Sequence, residues 1–192
     1  ETQNLAAKRP DIAAHLGDQI KQWQAAQETS SGQSKRPFTL AHPEAKWTQL
    51  PARDATFTGA IQRSNRFPNC PYLHHWIDTD SEIRWDVESL SEGDYRVQMY
   101  YVCPEKDLGS TIELSFGGET ISATIDRAVE SPLIGDQQDR VERIEGYVRR
   151  WQPMTLGTLH ITPGRGTLRL KATRVPGRQV AEMRLLMFER LD

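Results

Sequence analysis

"GDYRVQMYYVCPEKDLGSTIELSFGGETISATI", residues 93–125, decides the fold. Tyr95, Val97, Met99 and Tyr101 alternate with Arg96, Gln98 and Tyr100, the period of a strand buried on one face. Ile112, Leu114 and Phe116 repeat the pattern, Gly117-Gly118 supplies a two-residue hairpin signal, and Ile121, Ala123 and Ile125 return. Working outward, Ile83, Trp85 and Val87 alternate ahead of the turn Glu92-Gly93-Asp94. Downstream, Leu159 and Ile161 lead into the turn Pro163-Gly164-Arg165-Gly166, Leu168, Leu170 and Ala172 follow it, and a last strand runs from Val180 to Phe188. Short alternating strands punctuated by turn residues predict a mainly β protein, an antiparallel two-sheet β-sandwich of roughly eight to ten strands at typical strand length.

Ahead of the sandwich the period is helical. Pro10 suits a first helical turn and Asp11 the positive end of a helix dipole. Ile12, Leu16, Ile20 and Trp23 then form one apolar stripe. The polar run Glu28 to Ser34 ends that pattern, so residues 1–27 are expected as a terminal helix, 28–36 as a linker and 37–192 as the sandwich. The charged stretch from Gly135 to Trp151 is expected as a long solvated loop.

A formal net charge of −2 over 192 residues gives no electrostatic case for nucleic acid, and no apolar run is long enough for membrane insertion. Two cysteines, Cys70 and Cys103, allow one disulfide in an exported protein or two thiols in a cytosolic one. No G-x-S-x-G elbow accompanies the scattered histidines, and Gly164-Arg165-Gly166 lacks the third glycine and helix start of a phosphate cradle. His74-His75 is a poor zinc pair, because neighbouring strand residues face opposite ways. Asp78, Asp80 and Glu82 alternate as in the first half of a calcium loop. Ile83 and Ser89 stand where the twelve-residue version needs glycine and glutamate, so these carboxylates suit at most a loop calcium site or a polar turn.

Sugar recognition remains. It asks for flat aromatics against the apolar face of a pyranose and polar side chains for its hydroxyls. Tyr72, His74, Trp76, Tyr147 and Trp151 are the candidates, with Trp47 a further aromatic. Tryptophans in a small sandwich usually belong to the core. Trp85, in phase with Ile83 and Val87, is expected there, whereas alternation does not assign Trp76 or Trp151.

Two resemblances add to this. Glu1-Thr2-x-Asn4-Leu5-Ala6, followed by Pro10-Asp11-Ile12 and the stripe ending at Trp23, resembles the C-terminal end of the sulfatase family, where an E-x-x-N-L-A phrase introduces the last helix of the catalytic chain. Ile83-x-Trp85-Asp86-Val87, Gly93-Asp94-Tyr95-x-Val97, Tyr101-x-Cys103-Pro104, Gly109-Ser110 and Leu156-Gly157 resemble the jelly-roll, galactose-binding-like modules that bacteria append to polysaccharide-degrading enzymes. Together they imply a non-catalytic accessory domain of a periplasmic or secreted arylsulfatase, of the N-acetylgalactosamine-6-sulfatase kind. The parent would be a sulfuric ester hydrolase whose formylglycine, calcium and sulfate-binding residues all lie upstream of Glu1. No C/S-x-P-x-R signature occurs within the chain, so no catalytic residue carries over. The implied partners are the upstream catalytic domain, a sulfated or neutral glycan and, through the N-terminal helix, a second copy. The alternative is a structural sandwich that packs on the catalytic domain or drives oligomerisation.

Overall fold

The computed structural model describes residues 4–30, 36–67, 72–143 and 146–191. The chain divides into two compact units, Glu1–Arg36 and Pro37–Asp192. The first contains one helix, α1 (Pro10–Ser30), which begins at the expected proline and runs a few residues beyond its expected end. Its stripe of Ile12, Leu16, Ile20 and Trp23 is 41–64 % exposed. The rest of the expected linker, residues 31–35, lies outside the described residues.

The second unit is a sandwich of two six-stranded sheets. In chain order its strands are β1 (Phe38–Leu40), β2 (Trp47–Pro51), β3 (Thr56–Phe57), β4 (Gln62–Arg63), β5 (Leu73–His74), β6 (Glu82–Ser89), β7 (Gly93–Val102), β8 (Thr111–Phe116), β9 (Glu119–Thr124), β10 (Gln152–Ile161), β11 (Gly164–Arg174) and β12 (Glu182–Arg190). One sheet runs β1-β6-β11-β8-β9, with β3 also on β6; the other runs β10-β7-β12-β5-β4, with β2 also on β12. Among the described residues, all strand pairings are antiparallel except β1 on β6, where Phe38, Thr39 and Leu40 face Val87, Glu88 and Ser89 in parallel. The strand total exceeds the expected eight to ten because β3, β4 and β5 are two-residue pairings, too short to show a period.

The inward set follows from the alternation. Ile83, Trp85 and Val87 on β6, Leu168, Leu170 and Ala172 on β11, and Ile112, Leu114 and Phe116 on β8 come from one sheet. Tyr95, Val97, Met99 and Tyr101 on β7, with Met183, Leu186 and Phe188 on β12, meet them from the other. Two polar atoms carried into this core find backbone partners. The Trp85 indole N–H donates to the Pro51 carbonyl at 3.0 Å, and the Tyr101 hydroxyl to the Arg127 carbonyl at 2.7 Å. Gly117 and Gly118, with φ of 62° and 93°, close the β8–β9 hairpin with the positive angles that a tight two-residue turn of this type demands.

Between β9 and β10 the chain is irregular, as expected, tied down by isolated bridges from Cys103 to Val129 and from Ile134 to Val148. Cys103 is a free, fully buried thiol, while Cys70, its prospective disulfide partner, lies outside the described residues. Burial, with Asp107 and Glu130 nearby, pushes the Cys103 thiol up to about 11. The reactive thiolate is therefore scarce at neutral pH. Native protein treated with iodoacetamide at pH 8 is expected to leave Cys103 unmodified, and denatured protein to alkylate it fully; peptide mass mapping reads both states.

A groove on the outer face of one sheet

The outward phase of the β10-β7-β12-β2 face carries the groove. β7 turns Arg96, Gln98 and Tyr100 away from the core, and pairing sets Tyr100 beside Pro153 on β10 and Leu185 on β12. Next along, Gln98 sits opposite Thr155 and Met187, and Met187 opposite Gln49 on β2. The backbone Val148 to Trp151, arriving from the long irregular segment, forms a wall beside this floor. The result is an open groove of roughly 490 Å³ lined by Gln49, Tyr100, Trp151, Arg184, Leu185 and Met187, with Val148 and Arg149 at its wall.

The wall is braced from behind. Tyr72, just ahead of β5, packs against Trp151 with ring centroids 5.2 Å apart and meets His74 edge-on at 6.1 Å. The Arg149 guanidinium lies 5.8 Å over the Tyr72 ring and contacts Glu182, the first residue of β12, with Nε 2.7 Å from Oε2. A second Arg149 nitrogen donates to the Ser131 carbonyl. Burial raises the Glu182 carboxyl above the usual range, opposed by the neighbouring Arg149 and His74 charges. The pair ties the wall to the start of β12.

Three of the five aromatic-class residues expected at a sugar site, Tyr72, His74 and Trp151, are thus gathered in one cluster at this wall. Tyr147 stands apart, under the Arg143 guanidinium at 5.4 Å. Trp76 is a correction: it is 1 % exposed and belongs to the core, with no ring face open to a sugar. The reason is local. Tyr72 and His74 face outward around buried Leu73, and simple alternation would carry Trp76 outward as well. His75, at φ 58°, breaks the strand phase and turns Trp76 in. Tyr100, Gln49, Arg184 and Met187 were not among the expected site residues. For Tyr100 the signal was present in its outward phase between Met99 and Tyr101.

Of Asp78, Asp80 and Glu82, where calcium was an expectation, two carboxylates already have partners within the chain. Asp78 Oδ1 accepts the backbone N–H groups of Asp80 and Ser81 at 3.1 and 2.7 Å, capping the turn. Hydrogen bonds from Ser81 lead in holding its carboxyl below the ordinary carboxylate value. Glu82 is committed to Arg84, whose Nε donates to Oε2 at 2.6 Å. Among the described residues no three His, Cys, Asp or Glu side chains are grouped as a metal site. The same turn leans on Gly59, whose φ is 74° and whose missing Cβ would lie 2.1 Å from the buried Ser81 Oγ. Gly59→Ala is expected to cost about 1–3 kcal/mol through backbone strain and the displaced serine, measured by urea unfolding.

No family model matches the chain, and no curated protein matches it. Solved structures share its fold. The Cry4Aa mosquito-larvicidal toxin of Bacillus thuringiensis matches at TM-score 0.58 and 12 % identity, over 81 % of this chain and 25 % of the toxin chain. The GH26-CBM35 β-(1,4)-mannanase of Podospora anserina matches at 0.52 and 10 %, over 77 % of this chain and 28 % of the enzyme chain. The C-terminal CBM6 of LamC, a marine laminarinase of Zobellia galactanivorans, matches at 0.51 and 9 %, over 75 % of this chain and 99 % of the module. The chain therefore spans about a quarter of the length of the toxin and mannanase chains, but nearly the whole of the laminarinase module is matched.

Proposed function

We propose that the sandwich is a non-catalytic, carbohydrate-binding accessory domain and that the outer-face groove is its glycan site. The observation that carries this reading is the pairing of a half-buried tyrosine in the floor, Tyr100, with a braced tryptophan in the wall, Trp151, over polar Gln49 and Arg149. Aromatic rings offer flat, rigid surfaces for the C–H face of a sugar ring, and the amide and guanidinium offer partners for its hydroxyls. The likeness to the laminarinase CBM6 module supports a glycan as the ligand class to test. Affinity electrophoresis through gels holding neutral and acidic polysaccharides tests it: wild-type chain should be retarded by at least one polysaccharide, and Tyr100→Ala and Trp151→Ala should migrate freely. Retardation unchanged in both variants would contradict the site. No retardation by any polysaccharide would favour the structural alternative, a sandwich that packs on a catalytic domain.

The finer reading is that this domain serves a sulfatase. Its support is the E-x-x-N-L-A phrase and the stripe through Trp23, which resemble the end of a sulfatase catalytic chain. The gene sequence preceding Glu1 tests it: a C/S-x-P-x-R motif is the expected finding, and a glycosidase there would replace this parentage.

A further inference from the structure

Arg184 has no hydrogen-bond, ion-pair or ring partner among the described residues, yet it is half-buried in the groove. Its position comes from a bulge: the register of β12 against β7 shifts between Met183 and Leu185. A bulge sets two residues of one strand against one of its partner and re-aims a side chain. Arg184 and Leu185, consecutive in sequence, accordingly both line the groove. A guanidinium stays charged at any physiological pH, and partial burial strips it of water without supplying an internal acceptor.

The nearby carboxylates are already engaged. Glu182 is held by Arg149, and Glu189 is shared by Lys46 at 3.7 Å and Arg96 at 3.4 Å. Between Trp47 and Trp151 these two carboxylates therefore answer to Lys46, Arg96 and Arg149, and Arg184 is left over. This local excess of positive charge sits on a chain whose net charge is −2.

We infer that the groove takes an acidic glycan and that Arg184 receives its anionic group, a sulfate ester or a uronate carboxylate. This rests on the groove being the glycan site. The planar fork of arginine donates two parallel N–H bonds to either kind of oxyanion, while Tyr100 and Trp151 flank it with the flat surfaces a sugar ring needs. A neutral sugar would leave the guanidinium as unsatisfied as it is now.

The test is affinity electrophoresis of the full chain in gels containing dextran, dextran sulfate, polygalacturonate or fully methyl-esterified polygalacturonate. The wild-type chain is expected to bind dextran sulfate or polygalacturonate at least about tenfold more tightly than the uncharged counterpart, since charge-assisted bonds are the strong ones. The polymer that shows the preference identifies sulfate or carboxylate. Arg184→Gln is expected to remove the preference. Arg184→Lys, which keeps the charge without the fork and is the gentler change for folding, should retain part of it. Arg169→Gln, an exposed charge on the outer face of the other sheet, should change nothing. Equal binding of charged and uncharged polymers, or an Arg169→Gln loss as large as that of Arg184→Gln, would overturn the acidic-glycan assignment while Tyr100→Ala still tests the groove. Binding to none of the four would overturn both.

Discussion

Trp85→Ala is expected to lower the unfolding free energy of the sandwich by about 3–5 kcal/mol, the range for emptying a large aromatic site in a close-packed core. Trp85 is 1 % exposed, at the centre of β6, with Leu168 of β11 paired beside it. Its indole N–H also satisfies the Pro51 carbonyl, so truncation leaves a part-buried acceptor without this donor. Because domains are stable by only about 5–15 kcal/mol, the variant should melt roughly 6–20 °C lower, and differential scanning calorimetry reads the shift. Trp85→Phe separates the two causes. It keeps most of the volume and loses the hydrogen bond, so about 1–3 kcal/mol is expected for the orphaned carbonyl together with the smaller ring. A melting point within 2 °C of wild type for Trp85→Ala would mean that the two sheets do not close on this residue.

The second large effect is on binding. Tyr100→Ala and Trp151→Ala are each expected to weaken glycan affinity by about 2 kcal/mol or more, roughly thirtyfold, as truncating a central aromatic anchor does in other recognition surfaces. Tyr100 is the cleaner probe. It lies on the outer face of β7, flanked in register by Pro153 and Leu185, and its removal leaves the core residues Met99 and Tyr101 in place. Trp151 packs on Tyr72, so its loss also loosens the wall. Tyr72→Ala should therefore weaken binding less than Trp151→Ala, because it acts only through the position of Trp151. Equal losses would place Tyr72 in direct contact with the sugar.

Strands β6, β7, β8 and β11 could be read from the chain because their alternation runs uninterrupted for six residues or more, as in β7, where every inward residue is hydrophobic and buried. The short ones could not. β1 pairs in parallel over three residues, and β3, β4 and β5 contribute two each, lengths at which no period exists. For the expected site residues, the same rule explains where the chain places them. Tyr72, His74 and Trp151 were identified by residue type and do cluster, whereas Trp76 was lost to one left-handed residue, His75, that reverses the phase. Arg184 was invisible for the complementary reason: a bulge is a register event between two strands, and nothing in the run Glu182-Met183-Arg184-Leu185 announces it. The acidic triplet from Asp78 had the right spacing for ligands. However, spacing does not reveal that backbone amides already engage Asp78 Oδ1 and that Arg84 already engages Glu82 Oε2.

The central claim is that glycan binds on the outer face of the β10-β7-β12-β2 sheet. Amide and indole N–H correlation spectra of the labelled chain, titrated with oligosaccharides cut from the polysaccharide that retards it most, test this most directly. The account predicts dose-dependent shifts confined to Gln49, Gln98 to Tyr100, Arg184 to Met187 and the Trp151 indole, with Trp76 and Trp85 unmoved. Shifts clustered instead on β8, β9 and β11 of the opposite sheet would contradict it, as would a spectrum that oligosaccharide leaves unchanged.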